Sequence, residues 1–240
     1  MTGPIDIYVH GLPGSPAEAR LGFPPGCRPG AILAPWQLGD ALHQRAATGE
    51  PVARILAFSL GAHTAIEKAA RHPDAVRELV LVSPAAPLQL GDFLPLMAGA
   101  PMFRAARTGR VPLAALTLAQ SLVLRIAPDR LIEVMFARTA PSERALLDDP
   151  SFRQTITEGL RASLIAERSR YLDAVLRYVA DWTPTLARVR CPVAIVHGEA
   201  DAWAPPAMAI ALAERLGGRA TLTILPGTGH YGALRRLAEM

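Results

Sequence analysis

The sequence predicts an α/β architecture of three layers: a mostly parallel sheet of about six strands, helices on both of its faces, and one large all-helical insertion. Three observations carry that expectation. Short apolar runs alternate with helical patterns near both ends of the chain, the rhythm of strand–helix–strand units. Most of those runs are nearly continuous rather than alternating, as in strands covered on both faces. Between about residues 85 and 181 the rhythm stops and only helical periodicity continues.

Taken in order, the first apolar run is Ile5–His10 and the second Ala31–Ala34, followed by a helical pattern over Leu38–Thr48. A third run, Arg54–Phe58, leads at once into a helix over Ala62–Arg71, which ends before His72-Pro73; Glu78–Ser83 is the fourth run. The block after it is punctuated by Pro101, Pro112, Pro128, Pro141 and Pro150, with Asp129, Ser142 and Ser151 expected as caps near helix starts. A fifth run, Val193–His197, precedes a helix over Ala207–Leu216, framed by Pro205-Pro206 and Gly217-Gly218. Thr221–Leu225 alternates polar and apolar residues, which places it near an edge. The expected division is a core of 1–84 and 182–240, interrupted by a helical cap over 85–181. A cap inserted there covers the edge of the sheet where ligands bind.

Composition removes several function classes. With 50% hydrophobic and 19% charged residues, the 240-residue chain is neither a disordered segment nor a charge-rich coiled coil. A pI near 9.6 suggests an anionic partner, yet the net charge is only +4, from 25 basic and 21 acidic residues. Lys68 is the sole lysine, so the high pI reflects arginine, which does not deprotonate in this range. Residues 92–181 hold 12 arginines against 10 acids and the remainder is equally mixed, which leaves no basic face for a nucleic acid. Cys27 and Cys191 lie far apart without metal spacing, and free thiols in a reducing cytoplasm are expected. Residues 1–6 carry no signal-peptide pattern. The longest uncharged stretches, Leu79–Gly91 and Val111–Leu124, fall short of the roughly 20 residues that span a bilayer, so no membrane span is expected.

Four short segments carry chemistry. In Ala57-Phe-Ser-Leu-Gly61 a serine stands where a strand turns sharply into a helix, among small neighbours and at the positive helix end, as a nucleophile requires. The same serine would also serve as an ordinary helix cap. His10-Gly-Leu-Pro-Gly14 follows the first strand with a loop able to aim amides into a pocket, or to form a plain tight turn. His197-Gly-Glu-Ala-Asp201 and Gly227-Thr-Gly-His230 each put an ionisable group just past a strand's carboxyl end, where parallel sheets bind ligands. The order Ser59, Asp201, His230 is the nucleophile–acid–base order of one enzyme architecture. Four such loops in the right order are hard to attribute to independent turns.

On these motifs the chain resembles the α/β-hydrolase fold superfamily over residues 1–84 and about 182–240, with the cap following from its insertion point. The resemblance implies the strand order second, first, third, fourth, fifth, sixth. It further implies Ser59 as nucleophile, His230 as general base, Asp201 as the acid orienting the imidazole, and the backbone N–H groups of Leu12 and Leu60 as the oxyanion hole. Two departures stand out: Ala57 occupies the usual first glycine of the serine motif, and the usual N-terminal antiparallel hairpin is missing. The short stretch from His10 to Ser59 also suggests a trimmed core.

The expected activity is a serine hydrolase cleaving a carboxylic ester or thioester of a small hydrophobic substrate, with no cofactor and no metal. Alternatives on the same site are a C–C bond hydrolase, a lyase or an acyltransferase, and a non-enzymatic receptor for a small ligand. An acidic carrier protein presenting a thioester is a conceivable partner that the evenly spread charge does not favour, and the oligomeric state stays open. Among the other histidines, His63 is expected to lie against the sheet, His10 to orient its loop, and His43 and His72 to lie at the surface or at helix ends. His197, Glu199 and Asp201 are too few for a metal site. Trp203 and Tyr231 are core or substrate contacts, and Met97, Met102 and Phe103 are core residues of which some must face the cleft.

Overall fold

The computed structural model describes residues 5–23, 29–50 and 53–237, and Cys27 lies outside them. Six strands form one sheet: β1 (Ile7–Val9), β2 (Ala31–Leu33), β3 (Ala53–Phe58), β4 (Val76–Val82), β5 (Val193–Gly198) and β6 (Ala220–Leu225). All pairings are parallel and the order is β2-β1-β3-β4-β5-β6, as the resemblance implied. The order reverses between β1 and β3, which opens a crevice at their carboxyl ends.

The two-residue period of each strand divides the core between two faces. Ile7, Val9, Ile55, Ala57, Leu79, Leu81 and Ile195 join one apolar cluster; Tyr8, Leu56, Phe58, Val80, Val82 and Val196 join the other. Helices α2 (Leu38–Thr48), α3 (Gly61–Arg71) and α11 (Pro206–Leu216) cover the first face. The second face is covered by α1 (Ala19–Gly22) and α12 (His230–Arg236). On β6, exposed Thr221 and Thr223 alternate with half-buried residues, the mark of its edge position.

Between β4 and β5 the described residues contain helices and no strand: α4 (Ala100–Thr108), α5 (Arg110–Ile126), α6 (Pro128–Phe136), α7 (Pro141–Arg144), α8 (Pro150–Arg161), α9 (Arg168–Val179) and α10 (Thr183–Leu186). A single π-turn over Ala162–Ala166 follows α8. Proline opens α6, α7 and α8, where its missing N–H costs nothing and its fixed φ suits the first turn. That chemistry displaces the expected caps. Asp129 and Ser142 sit inside the first turns of α6 and α7, and the cap of α8 is Asp149, which accepts the Ser151 N–H at 2.9 Å.

His63 is buried, and its ring lies 4.7 Å from that of Trp182 and 6.0 Å from that of Tyr178, so it meets the end of the helical block. His43 and His72 are exposed. Cys191 is buried and free. Among the described residues no helix is long and apolar enough to cross a membrane.

Candidate active site

Ser59 leaves β3 with φ of +53°, a backbone region that costs a non-glycine residue about 1–3 kcal/mol. Its neighbours compel this turn. The Ser59 N–H donates to Val82 O at 3.0 Å, while its own carbonyl accepts from Ala62 at 3.1 Å and Ala85 at 3.3 Å. Helix α3 then starts so close to the end of β1 that a Cβ on Gly61 would lie 2.6 Å from the His10 carbonyl oxygen. Only glycine permits that approach, and it brings the loop after β1 alongside Ser59.

The loops after β5 and β6 supply an imidazole and its carboxylate. Nδ1 of His230 lies 2.6 Å from Oδ2 of Asp201, and both residues are buried. The other Asp201 oxygen accepts the Trp203 and Ala204 amides at 2.8 and 2.9 Å. Beneath it, His197 Nε2 lies 2.8 Å from Ala204 O and 3.4 Å from Asp201 Oδ2. Both of those neighbours are acceptors, so this nitrogen carries the proton. Burial pushes the Asp201 carboxyl up, but the charge and hydrogen bond of His230, with His197 and the Ala204 amide, outweigh it and hold it below the usual range. Burial likewise pushes His230 down, and Asp201, with Glu143 and Glu18 further off, more than reverses this.

Ser59, His230, Leu12 and Leu60 all border one cavity of about 340 Å³; Asp201 stands behind His230. Among the loop and cap hydrogen bonds of the described residues, the Leu12 and Leu60 amides donate to no acceptor. The far wall comes from the helical block and is mostly apolar, with Met97, Met102, Phe103, Leu160, Leu164 and Val175 lining it beside Gln120 and Arg138. Trp203 and Tyr231 also line the cavity, their rings grouped around Phe136. His10 turns its Nδ1 to the Gly11 carbonyl at 2.7 Å, and burial lowers its pKa to about 4. It is a loop residue.

Two buried carboxyl groups near His230 were not foreseen. Glu18, from the turn before α1, accepts the Tyr8 hydroxyl at 2.6 Å and the Gly11 amide at 2.8 Å, both on Oε1. Burial raises its pKa to about 7 against the pull of those two bonds. Glu143, from α7, accepts the Tyr231 amide. A serine immediately ahead of a proline-led turn, three residues before Glu18, hints at the position of Glu18; nothing local marks Glu143. No group of histidine, cysteine and carboxylate side chains suited to a metal exists among the described residues. Chemically, the arrangement sets a hydroxyl, a carboxylate-backed imidazole and two loop residues on one cavity with a mostly apolar wall, the components that acyl transfer requires.

Comparison with known proteins agrees with this fold. The family model described as serine aminopeptidase, S33, matches residues 40–232. Among solved structures, a thermophilic esterase from Thermogutta terrifontis is 19% identical, with a TM-score of 0.61, over 98% of this chain and 85% of that one. A serine hydrolase from the polyaromatic hydrocarbon-degrading bacterium Cycloclasticus zankles is 15% identical, with a TM-score of 0.58, over 98% and 86%. Est816, an N-acyl homoserine lactone degrading enzyme, is 18% identical, with a TM-score of 0.57, over 99% and 90%. No curated protein matches the sequence.

Proposed function

The chain belongs to the serine aminopeptidase S33 family of α/β hydrolases, and on that premise we propose that it hydrolyses a carboxylic ester or thioester with a small hydrophobic acyl group. The observation that carries the reading is the Asp201-backed imidazole of His230 on the same cavity as the strained Ser59. Ser59 Oγ attacks the acyl carbonyl while its proton passes to His230 Nε2. The oxyanion takes hydrogen bonds from the Leu12 and Leu60 amides, which need no reorganisation to receive it. His230 then protonates the departing alcohol or thiol, leaving Ser59 acylated. Water, deprotonated by the same nitrogen, releases the acid and restores the serine. The helices between β4 and β5 act as a cap over the acyl group.

A mostly apolar wall whose one cation among the described residues is Arg138 favours an acyl chain over a peptide amino terminus. Among the described residues the one carboxyl group lining the cavity is that of Glu18, whose Oε1 already serves Tyr8 and Gly11, and whose proton is held to about pH 7. The neighbours named as an esterase and as an N-acyl homoserine lactone degrading enzyme point the same way. The test is turnover of p-nitrophenyl acyl esters with fluorophosphonate labelling, on wild type and Ser59→Ala. The substitution should abolish labelling and reduce kcat by about four orders of magnitude or more. Full activity in Ser59→Ala would refute the assignment, and labelling of the wild type without ester turnover would move the reaction to C–C cleavage, elimination or acyl transfer.

A further inference from the structure

The proposed reaction leaves Glu143 without a role, yet it is among the most completely buried charged residues, 1% exposed. It belongs to the helical block, and its partners lie in the loop that carries His230. Glu143 Oε1 accepts the Tyr231 N–H at 2.8 Å and Oε2 the Gly232 N–H at 3.4 Å. These are first-turn amides of α12, which have no partner inside the helix. The fit is close: a Cβ on Gly229 would stand 2.1 Å from Glu143 Oε2. Two neighbouring contacts join the same segments, Ser142 Oγ to Gly227 O at 3.2 Å and Arg235 to Asp149 at 3.9 Å. The histidine loop is thus fastened to the block on both sides of His230.

A neutral side chain could cap these amides at smaller desolvation cost. What a carboxylate adds is charge, close to an imidazole that must become a cation during turnover. We propose that Glu143 is a positioning residue for His230, fixing the histidine loop from the helical block and placing a second carboxylate near the imidazolium that forms when Ser59 gives up its proton. This rests on the reading of His230 as general base. The helices over the acyl pocket then also complete the catalytic centre, so their correct seating and the basicity of His230 are linked.

The groups around His230 are known from every side. Asp201 meets Nδ1 from the loop after β5, with His197 beneath it; Glu18 approaches from the turn before α1; Tyr231 is on the same helix; Glu143 comes from α7. No nearby cation neutralises Glu143 among the described contacts: Arg144 turns to the Thr139 carbonyl and Arg235 to Asp149. Burial raises the pKa of Glu143, opposed by the Tyr231 amide and by His230. The acid limb of activity therefore reports a coupled cluster and not one group.

The test is the pH dependence of kcat/KM for a p-nitrophenyl acyl ester, measured on wild type, Glu143→Gln, Glu143→Asp, Ser142→Ala and Ser59→Ala. In wild type the acid limb should lie above the ordinary histidine value of 6.5. Glu143→Gln should move it to lower pH by about half a pH unit or more, since an opposite charge has been removed, and should lower the plateau kcat. Ser142→Ala loosens the same loop without changing charge and should leave the limb in place. If Glu143→Gln does not fold, Glu143→Asp carries the test: the charge is kept and the reach shortened, so kcat falls while the limb stays. A Glu143→Gln limb that coincides with wild type, a Ser142→Ala limb that moves as far, or a Glu143→Asp limb that shifts without loss of kcat overturns the inference. Ser59→Ala separates the two levels: an inactive Ser59→Ala with an unmoved Glu143→Gln limb sinks this inference alone, whereas an active Ser59→Ala removes its premise.

Discussion

Replacing Glu18 with glutamine should make the protein more stable at alkaline pH, by an amount set by the burial of one carboxyl group. Glu18 is 4% exposed, and its contacts all use Oε1, which accepts from Tyr8 and Gly11. Glutamine keeps that acceptor and the same length, so the perturbation is the loss of an ionisable proton. Burial raises the pKa from an ordinary 4.5 to about 7. Between those two values the folded chain retains a proton that the unfolded chain has released, so stability falls as pH rises through the window and the loss is complete above about 7. A rise from 4.5 to about 7, at about 1.4 kcal/mol per pH unit, amounts to ~3 kcal/mol. Urea unfolding of both proteins at pH 5 and pH 8 measures it. His230 and Glu143 titrate in both, and because His230 and Glu18 act on each other's charge, the difference between the two proteins reports Glu18 together with the smaller change its loss makes at His230. That difference should widen by ~2–3 kcal/mol in favour of the variant from pH 5 to pH 8, the part of the window lying between them. A difference independent of pH would mean that Glu18 ionises as freely when folded as when unfolded, which would refute the reasoning.

Two further outcomes concern the reaction. Asp201→Asn keeps an acceptor for the Trp203 and Ala204 amides but sets an amide against His230 Nδ1, favouring the wrong tautomer; kcat should fall by about 10⁴ while the melting temperature shows a folded protein. In a series of p-nitrophenyl esters from acetate to dodecanoate, kcat/KM should rise by about fourfold per methylene, the equivalent of ~0.8 kcal/mol, until the cavity of about 340 Å³ is full. Leu164→Phe adds a ring to the cavity wall and should bring that plateau to shorter chains; an unchanged chain-length profile would place the acyl group elsewhere.

The features legible in the sequence are those encoded by neighbours along the chain. The near-continuous apolar run of β3 and the alternation of β6 carry their burial in their own composition, so one reads as an inner strand and the other as an edge. The loops bearing Ser59, Asp201 and His230 follow β3, β5 and β6 directly, and their place at the carboxyl ends needs no knowledge of packing. Prolines 128, 141 and 150 mark helix starts, although the same prolines took over from the side chains expected to cap them. His63 illustrates the limit: its helix is local, but Trp182, which its ring meets, arrives more than a hundred residues later.

Glu18 and Glu143 lie beyond that limit for a stricter reason. Glutamate is almost always exposed, and the sequence around each is that of a polar turn. What buries Glu143 is the return of α12 beneath the helical block, 88 residues along the chain, with a glycine at 229 leaving room for its carboxylate. Its burial is a property of the assembled fold, and so is the strain at Ser59. A serine after a strand is visible as a letter, but its positive φ follows from Val82, Ala62 and Ala85 gripping its peptide groups from three directions. The sequence can therefore propose a nucleophile, whereas the forces that turn the serine at the end of β3 and raise the pKa of His230 arise only when the two halves of the sheet and the block between them close on one another.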